Sequence, residues 1–186
     1  MRTSSHGFVH DAVYHIIRGS RQQAHRERAG VLSSSAPGGR GERVDIVISD
    51  ATMGHTLVDI IVADPTRRDL VECATRHDLV ATTHAERRKE TRYRNCAAGT
   101  NFIPFVLETY AALSDRSDRF LVECATLASW ECARARPSIS LLCTWFRQRV
   151  SIALQRSLAH AIHSRTLRLE QSMACRAVLH RVCTHV

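Results

Sequence analysis

Lysine is nearly absent from this chain: of 26 cationic residues, 25 are arginine and one, Lys89, is lysine. Long apolar runs are also missing. The longest stretch without a charged side chain is the 13 residues Asn95–Leu107, short of the roughly 18 that a spanning helix needs. The start, MRTSSHGFVHDAVYH, lacks the apolar centre of a secretory signal. The expected location is therefore nuclear or cytoplasmic, neither secreted nor in a membrane. The seven cysteines are odd in number and contain no C-x-x-C pair. That pattern excludes a disulfide framework and predicts reduced, half-buried thiols. No Gly-rich phosphate loop and no G-x-S-x-G elbow occurs, which leaves nucleotide hydrolysis and serine-hydrolase chemistry without support. Beyond Pro137 there is neither Gly nor Pro for 49 residues, as continuous helix requires.

What is present is a basic chain with a globular composition. Its 186 residues are 44% hydrophobic and 24% charged, with a net charge of +8. Arginine grips phosphate through a planar fork, so a nucleic acid is the expected partner. A GC-rich gene would account for arginine over lysine, although not for the net charge. The charge is unevenly spread. Residues 1–43 carry +4, residues 44–66 carry −4 from Asp45, Asp50, Asp59 and Asp64, and residues 138–186 carry +6. An acidic centre between basic flanks suits a divalent cation held beside a polyanion.

The periodicities predict an α/β fold: a small mixed sheet with flanking helices, then a helical C-terminal extension. Phe8, Ala12, Val13, Ile16 and Ile17 define a first helix ended by Gly19. A short strand is expected near 26–32. The β-branched runs Val44–Ser49 and Thr56–Ala63 read as a hairpin, and Asp64-Pro65 opens a helical stretch. A helix is expected over Ala81–Arg94, a strand over Phe102–Leu107 with Pro104 near an edge, and helices over 115–134 and 139–170. The division expected is a core at 1–113, with 33–42 a flexible loop, and an extension at 114–186. The hexapeptide Leu-Val-Glu-Cys-Ala-Thr occurs at 70–75 and 121–126 and reads as two similar helical turns.

Asp59 stands inside the apolar run Leu57–Val62, where a carboxylate is costly unless it is paired or bound to a cation. Asp45 precedes it by 14 positions. If the hairpin pairs residues whose numbers sum to 104, Asp45 faces Asp59 and both can share one hard cation. The odd segment Asp50–Gly54 suits that register, with Gly54 taking a positive φ. A sum of 105 would put the two on opposite faces. Without a cation the pair is expected to repel, so that Asp59→Asn stabilises the metal-free protein.

Arg43-Val44-Asp45, a gap of 13, and Val58-Asp59-Ile60-Ile61-Val62 resemble the restriction-endonuclease-like domain at the C-terminus of site-specific non-LTR retrotransposon polyproteins. The family continues with a helix bearing Ala, Glu, Lys and Tyr, here Ala85, Glu86, Lys89 and Tyr93. A strand reading Phe-x-Pro-x-x-x-Glu-Thr follows, here Phe102 to Thr109. The resemblance covers roughly residues 8–113 and implies metal-dependent nicking of DNA. It places Mg on Asp45 and Asp59 and Lys89 near the scissile phosphate. Arg43, Arg87, Arg88 and Arg92 then become the nucleic-acid contacts. The chain departs from the family in three places: Val44 replaces Pro, Ile61 stands where related nucleases place lysine, and the pair Ala111-Ala112 follows Tyr110 where glycine is usual. No Tyr/Phe-x-Asp-Asp polymerase signature is present. The resemblance therefore points to a C-terminal piece, in decayed form if the departures count.

Other residues keep two readings. Lys89 is either the catalytic cation or half of a solvated Glu86–Lys89 pair. Glu108 is either a third acidic site residue or a strand-end carboxylate. His10 and Asp11, taken to open the first helix, either face the cleft or cap it. Cys175, His180, Cys183 and His185 are metal-type side chains at unfamiliar spacing, or one end of an amphipathic helix. Three functions compete: a Mg²⁺-dependent endonuclease, an inactive remnant that only binds nucleic acid, and an interaction module docking a protein through the C-terminal helices. The apolar stripe from Ile139 is expected to bury against 102–134, with residues beyond about 165 least packed.

Overall fold

The computed structural model describes residues 4–32, 42–50, 54–93, 100–131 and 137–183. Helix α1 (Ser4–Gly19) precedes strands β1 (Gln23–Leu32), β2 (Glu42–Asp50) and β3 (Gly54–Ala63). Then come the short α2 (Val71–Ala74), α3 (Val80–Tyr93), β4 (Asn101–Glu108), α4 (Asp115–Glu131) and α5 (Ile139–Cys183). The strands form one open sheet in the order β1-β2-β3-β4. The first two pairings are antiparallel and β3–β4 is parallel, so the sheet is mixed. Of the expected loop 33–42, only Glu42 lies among the described residues, and it opens β2.

Alternation along the strands separates two faces. Ile46, Ile48, Val58, Ile60, Ile103, Phe105 and Leu107 point to one side, where they pack with α1, α4 and the first half of α5 in a single apolar cluster. That cluster spans both sides of residue 113. The α5 stripe buries Phe146, Val150 and Leu154 in it beside Val13 and Ile17 of α1. Helix α1 is thus a partner of α5 as well as the expected 102–134 segment. Burial along α5 ends at Ser157, and residues 165–170 are exposed. No helix among the described residues is long and apolar enough to cross a membrane.

The opposite face carries α3. Every fourth residue of this helix points inward, and Ala81, Ala85, Lys89 and Tyr93 make the stripe. It runs antiparallel to the inward residues of β3. Ala81 and Ala85 pack with Ile61 and Ala63, and Tyr93 packs with Leu57, Val47 and Phe102.

The sheet has two edges, β1 and β4, and outward backbone groups of β4 are satisfied by the turn that follows. The Val106 N–H donates to Ser117 Oγ at 2.7 Å, the Ser114 N–H donates to the Val106 carbonyl at 3.1 Å, and the Glu108 N–H to the Ala112 carbonyl at 2.8 Å. Pro104, on this edge strand, turns its nitrogen outward and removes no ladder bond. Covering an edge in this way prevents pairing with another chain. The turn contains Ala111 at φ 70°, a left-handed backbone that costs an L-residue about 1–2 kcal/mol.

Candidate functional site

The hairpin register decides whether Asp45 and Asp59 can cooperate. Ile46 pairs with Val58, Val47 with Leu57, Ser49 with His55 and Asp50 with Gly54. Each pair sums to 104, as the odd loop predicts, and Gly54 has φ 85°. Beyond Ile46–Val58 the ladder stops. In an unbroken ladder the Ile60 N–H would bond the Val44 carbonyl. Here it donates to Asp45 Oδ2 at 2.8 Å. The two strands therefore part at Asp45, and the side chain takes over the released main-chain donor.

Asp45 is pinned from its other end as well. His10 Nε2 donates to the Asp45 carbonyl at 3.1 Å, which requires the proton on that nitrogen. His10 and Asp11 lie in the middle of α1, which begins at Ser4, and so cannot cap it; this corrects the expectation that they open the helix. His10 is buried, and Asp11 faces out to Arg26 of β1 at 3.0 Å. The sequence signal for His10 was its place on the apolar stripe with Val13 and Ile17, where a polar side chain needs a partner.

Asp59 lies on the α3 side of the sheet, between the two small apolar clusters. Lys89 Nζ reaches its Oδ2 at 2.6 Å, with the side chains only 7% and 18% exposed for Asp59 and Lys89. The solvated Glu86–Lys89 pair therefore does not form; Lys89 turns inward to the sheet. This contact also reverses the expected effect of Asp59→Asn, because Lys89 already offsets the carboxylate charge. The Lys89 ammonium stands 5.4 Å from the Tyr93 ring centroid. Glu86 Oε1, one turn earlier, is buried without a hydrogen bond.

The remaining site residues separate. Arg87, Arg88 and Arg92 are exposed on α3, with the Arg92 guanidinium 5.9 Å from the Tyr93 ring. Arg43 is on β2, but its side chain lies outside the described residues, as do those of Cys175, His180, Cys183 and His185. Glu108 is aligned with Ala63 while Asp59 is aligned with Pro104. Four strand residues, about 13 Å, thus separate Glu108 from the Asp59 position. It is a strand-end carboxylate and does not join the pair.

Two buried carboxylates on neighbouring strands form an all-oxygen donor set, which suits a hard cation such as Mg²⁺. Asp59 Oδ2 already binds one cation, the Lys89 ammonium. Among the described residues no group of three or more His, Cys, Asp or Glu gathers around one point. A magnesium ion there would complete its shell with water and phosphate oxygens, as Mg²⁺ commonly does. No protein-family model matches the chain, and no curated protein matches it.

Proposed function

We propose that this chain is a restriction-endonuclease-like domain of the kind carried by non-LTR retrotransposon polyproteins, and that it hydrolyses DNA phosphodiester bonds. One observation carries the reading: the parted hairpin presents Asp45 beside Asp59, and the only lysine of the chain is drawn onto Asp59 in an otherwise apolar interface. The left-handed Ala111 adds support, since it falls where the resembling family tends to carry glycine.

Asp45 and Asp59 would hold Mg²⁺, which supplies Lewis acidity toward a phosphate oxygen and a bound water of lowered pKa. Lys89 provides a compact positive charge beside that pair for the charge developing on phosphorus. His10 and the Ile60 N–H hold Asp45 in place before substrate arrives. Arg87, Arg88 and Arg92 lie on the outer side of the same helix and suit contacts with backbone phosphates.

Incubating supercoiled plasmid with the full chain tests this. Nicking is expected with Mg²⁺, none with EDTA, and a loss of at least about 100-fold in Asp59→Ala, on the scale of losing a stabiliser of transition-state charge. A second reading has its own observation: Lys89 and the Ile60 N–H already engage the two carboxylates, and the Lys89 ammonium offsets the charge of Asp59 without a metal ion. An intact plasmid, together with duplex binding that weakens steeply with salt, would favour an inactive nucleic-acid-binding remnant.

A further inference from the structure

Helix α5 presents a basic surface on the layer opposite α3. From Ile139 to Leu169 it holds five arginines and no carboxylate. Arg147 is bound by Asp118 of α4, whereas Arg149 and Arg156 have no ion-pair partner among the described residues. Trp145, Arg149, Ile152 and Arg156 stand at i, i+4, i+7 and i+11, which places them on one helical face over about 16 Å. They line a groove of about 410 Å³ between α5 and α1. Asp11 is the one carboxylate lining it among the described residues, and Arg26 already binds it at 3.0 Å. Trp145 is 48% exposed, with the Arg149 guanidinium 5.2 Å from its ring centroid. Phe8 of α1, also exposed, lines the groove as well. Its ring lies 6.0 Å from that of His160, one turn beyond Arg156.

Cations left uncompensated along a groove raise the local concentration of anions, and three anionic partners differ in what else they require. A lipid surface needs a continuous apolar face, but Phe146, Val150 and Leu154 of α5 are buried in the core. An acidic polypeptide would answer the arginines and leave the rings unused. A single nucleic-acid strand repeats a phosphate and a flat base, so it answers arginine and ring in turn. In a duplex the bases are stacked on one another and offer no free face to Trp145. We propose that the α1–α5 groove binds single-stranded nucleic acid, with a base stacked on Trp145 and phosphates on Arg149 and Arg156. The proposal does not rest on the nuclease reading, whose Asp59–Lys89 pair lies on the α3 side of the sheet.

Trp130→Phe, at a position 76% exposed, leaves Trp145 as the single tryptophan of the full chain. Its fluorescence is titrated in EDTA, so that no phosphodiester is cut, with an oligothymidylate of about eight nucleotides. Saturable quenching is expected. An abasic strand of the same charge should bind at least about fivefold more weakly, the scale of one lost stacking contact. Trp145→Ala, read by anisotropy of a labelled strand, should weaken binding by the same factor, and Trp145→Phe by less because its ring still stacks. Arg149→Gln/Arg156→Gln should lower the slope of log K against log salt by roughly 1.4, at about 0.7 for each phosphate contact. An absence of saturable quenching overturns the proposal. So does an abasic strand that binds as tightly, unchanged affinity in Trp145→Ala, or an unchanged salt slope in the double variant. Equal quenching by a duplex or by polyglutamate overturns it too, and would assign the groove to duplex DNA or to an acidic polypeptide.

Discussion

The two faces of the sheet are built on different principles. The face under α1, α4 and α5 is a continuous apolar cluster. The face under α3 is two small clusters with an Asp–Lys pair between them. Both faces come from the same strands by alternation, so the difference lies in what each helix brings. Helices α1 and α5 bring large aliphatic and aromatic side chains, whereas α3 brings two alanines, a lysine and a tyrosine. The first face can supply most of the folding free energy, which leaves the second free to carry polar groups that contribute little to stability.

The largest effect should come from the apolar face. Phe105 is fully buried and meets Phe120 edge-on, ring centroids 6.2 Å apart. Phe105→Ala should cost about 3–5 kcal/mol through lost transfer energy and a cavity. Urea unfolding monitored by Trp fluorescence reads the shift. A cost below about 1 kcal/mol, the scale of a well-tolerated repacking, would show that this face is not the principal core.

The α3 face should answer to charge before volume. Lys89→Met keeps the stem but leaves the Asp59 carboxylate buried without its ammonium, and about 2–3 kcal/mol should be lost, below the cost of breaking a fully buried pair. The double variant Asp59→Leu/Lys89→Met should recover most of that loss, since an apolar pair of similar volume is often as stable as a buried ion pair. A double variant no better than the single would mean that the pair's geometry, and not its charge, holds α3 on the sheet. Recovery of stability with no recovery of nicking is the outcome expected of a functional pair.

Most of this layout was legible in the residues. Strands β2 and β3 announced themselves by β-branched runs, and the hairpin register from Asp50–Gly54 to Ile46–Val58 followed from loop parity, because a one-residue slip reverses every side chain. The expected direct pairing of Asp45 with Asp59 did not form, since the ladder stops one residue short of it. What was not legible depended on contacts distant in sequence. His10 reaches Asp45 across 35 positions, and nothing in α1 alone names its acceptor. Lys89 shares a helical face with Glu86, yet the burial of α3 turns it to Asp59. The repeated hexapeptide makes the same point. Leu70 and Leu121 are both buried, but Cys73 is exposed and Cys124 is buried. Burial pushes the Cys124 thiol up to about 12. The first copy forms the short α2, while the second lies within the 17-residue α4 between core elements.

Where β4 leaves both faces, Ala111 holds a left-handed backbone, and here a substitution should stabilise. Ala111→Gly removes the Cβ penalty of that conformation at the expense of a more flexible unfolded chain. The net gain expected is about 0.5–1 kcal/mol. Thermal unfolding should shift upward, and an unchanged or lower midpoint would show that the turn relaxes around alanine.

The smallest expected effect lies on the rim of the apolar face and separates its surface electrostatics from its core. Arg147 of α5 donates from Nε and Nη2 to the two carboxylate oxygens of Asp118 on α4, at 2.6 and 2.8 Å. These charged hydrogen bonds hold the Asp118 carboxyl below its ordinary value, against a smaller opposing effect of desolvation. A carboxyl whose pKa is lower folded than unfolded binds fewer protons in the native state. Its contribution is therefore present above the unfolded value near 4 and is lost as pH falls through the depressed one. Both side chains are more than one-third exposed, so water and salt screen the pair and its worth is a few tenths of a kcal/mol up to about 1. Asp118→Asn should be less stable than the parent by that amount at pH 7 and in low salt. The difference should shrink below about pH 4, as the parent's carboxyl is protonated. A gap of equal size at pH 7 and pH 3 would assign the loss to the packing of α4 on α5 and not to the ion pair.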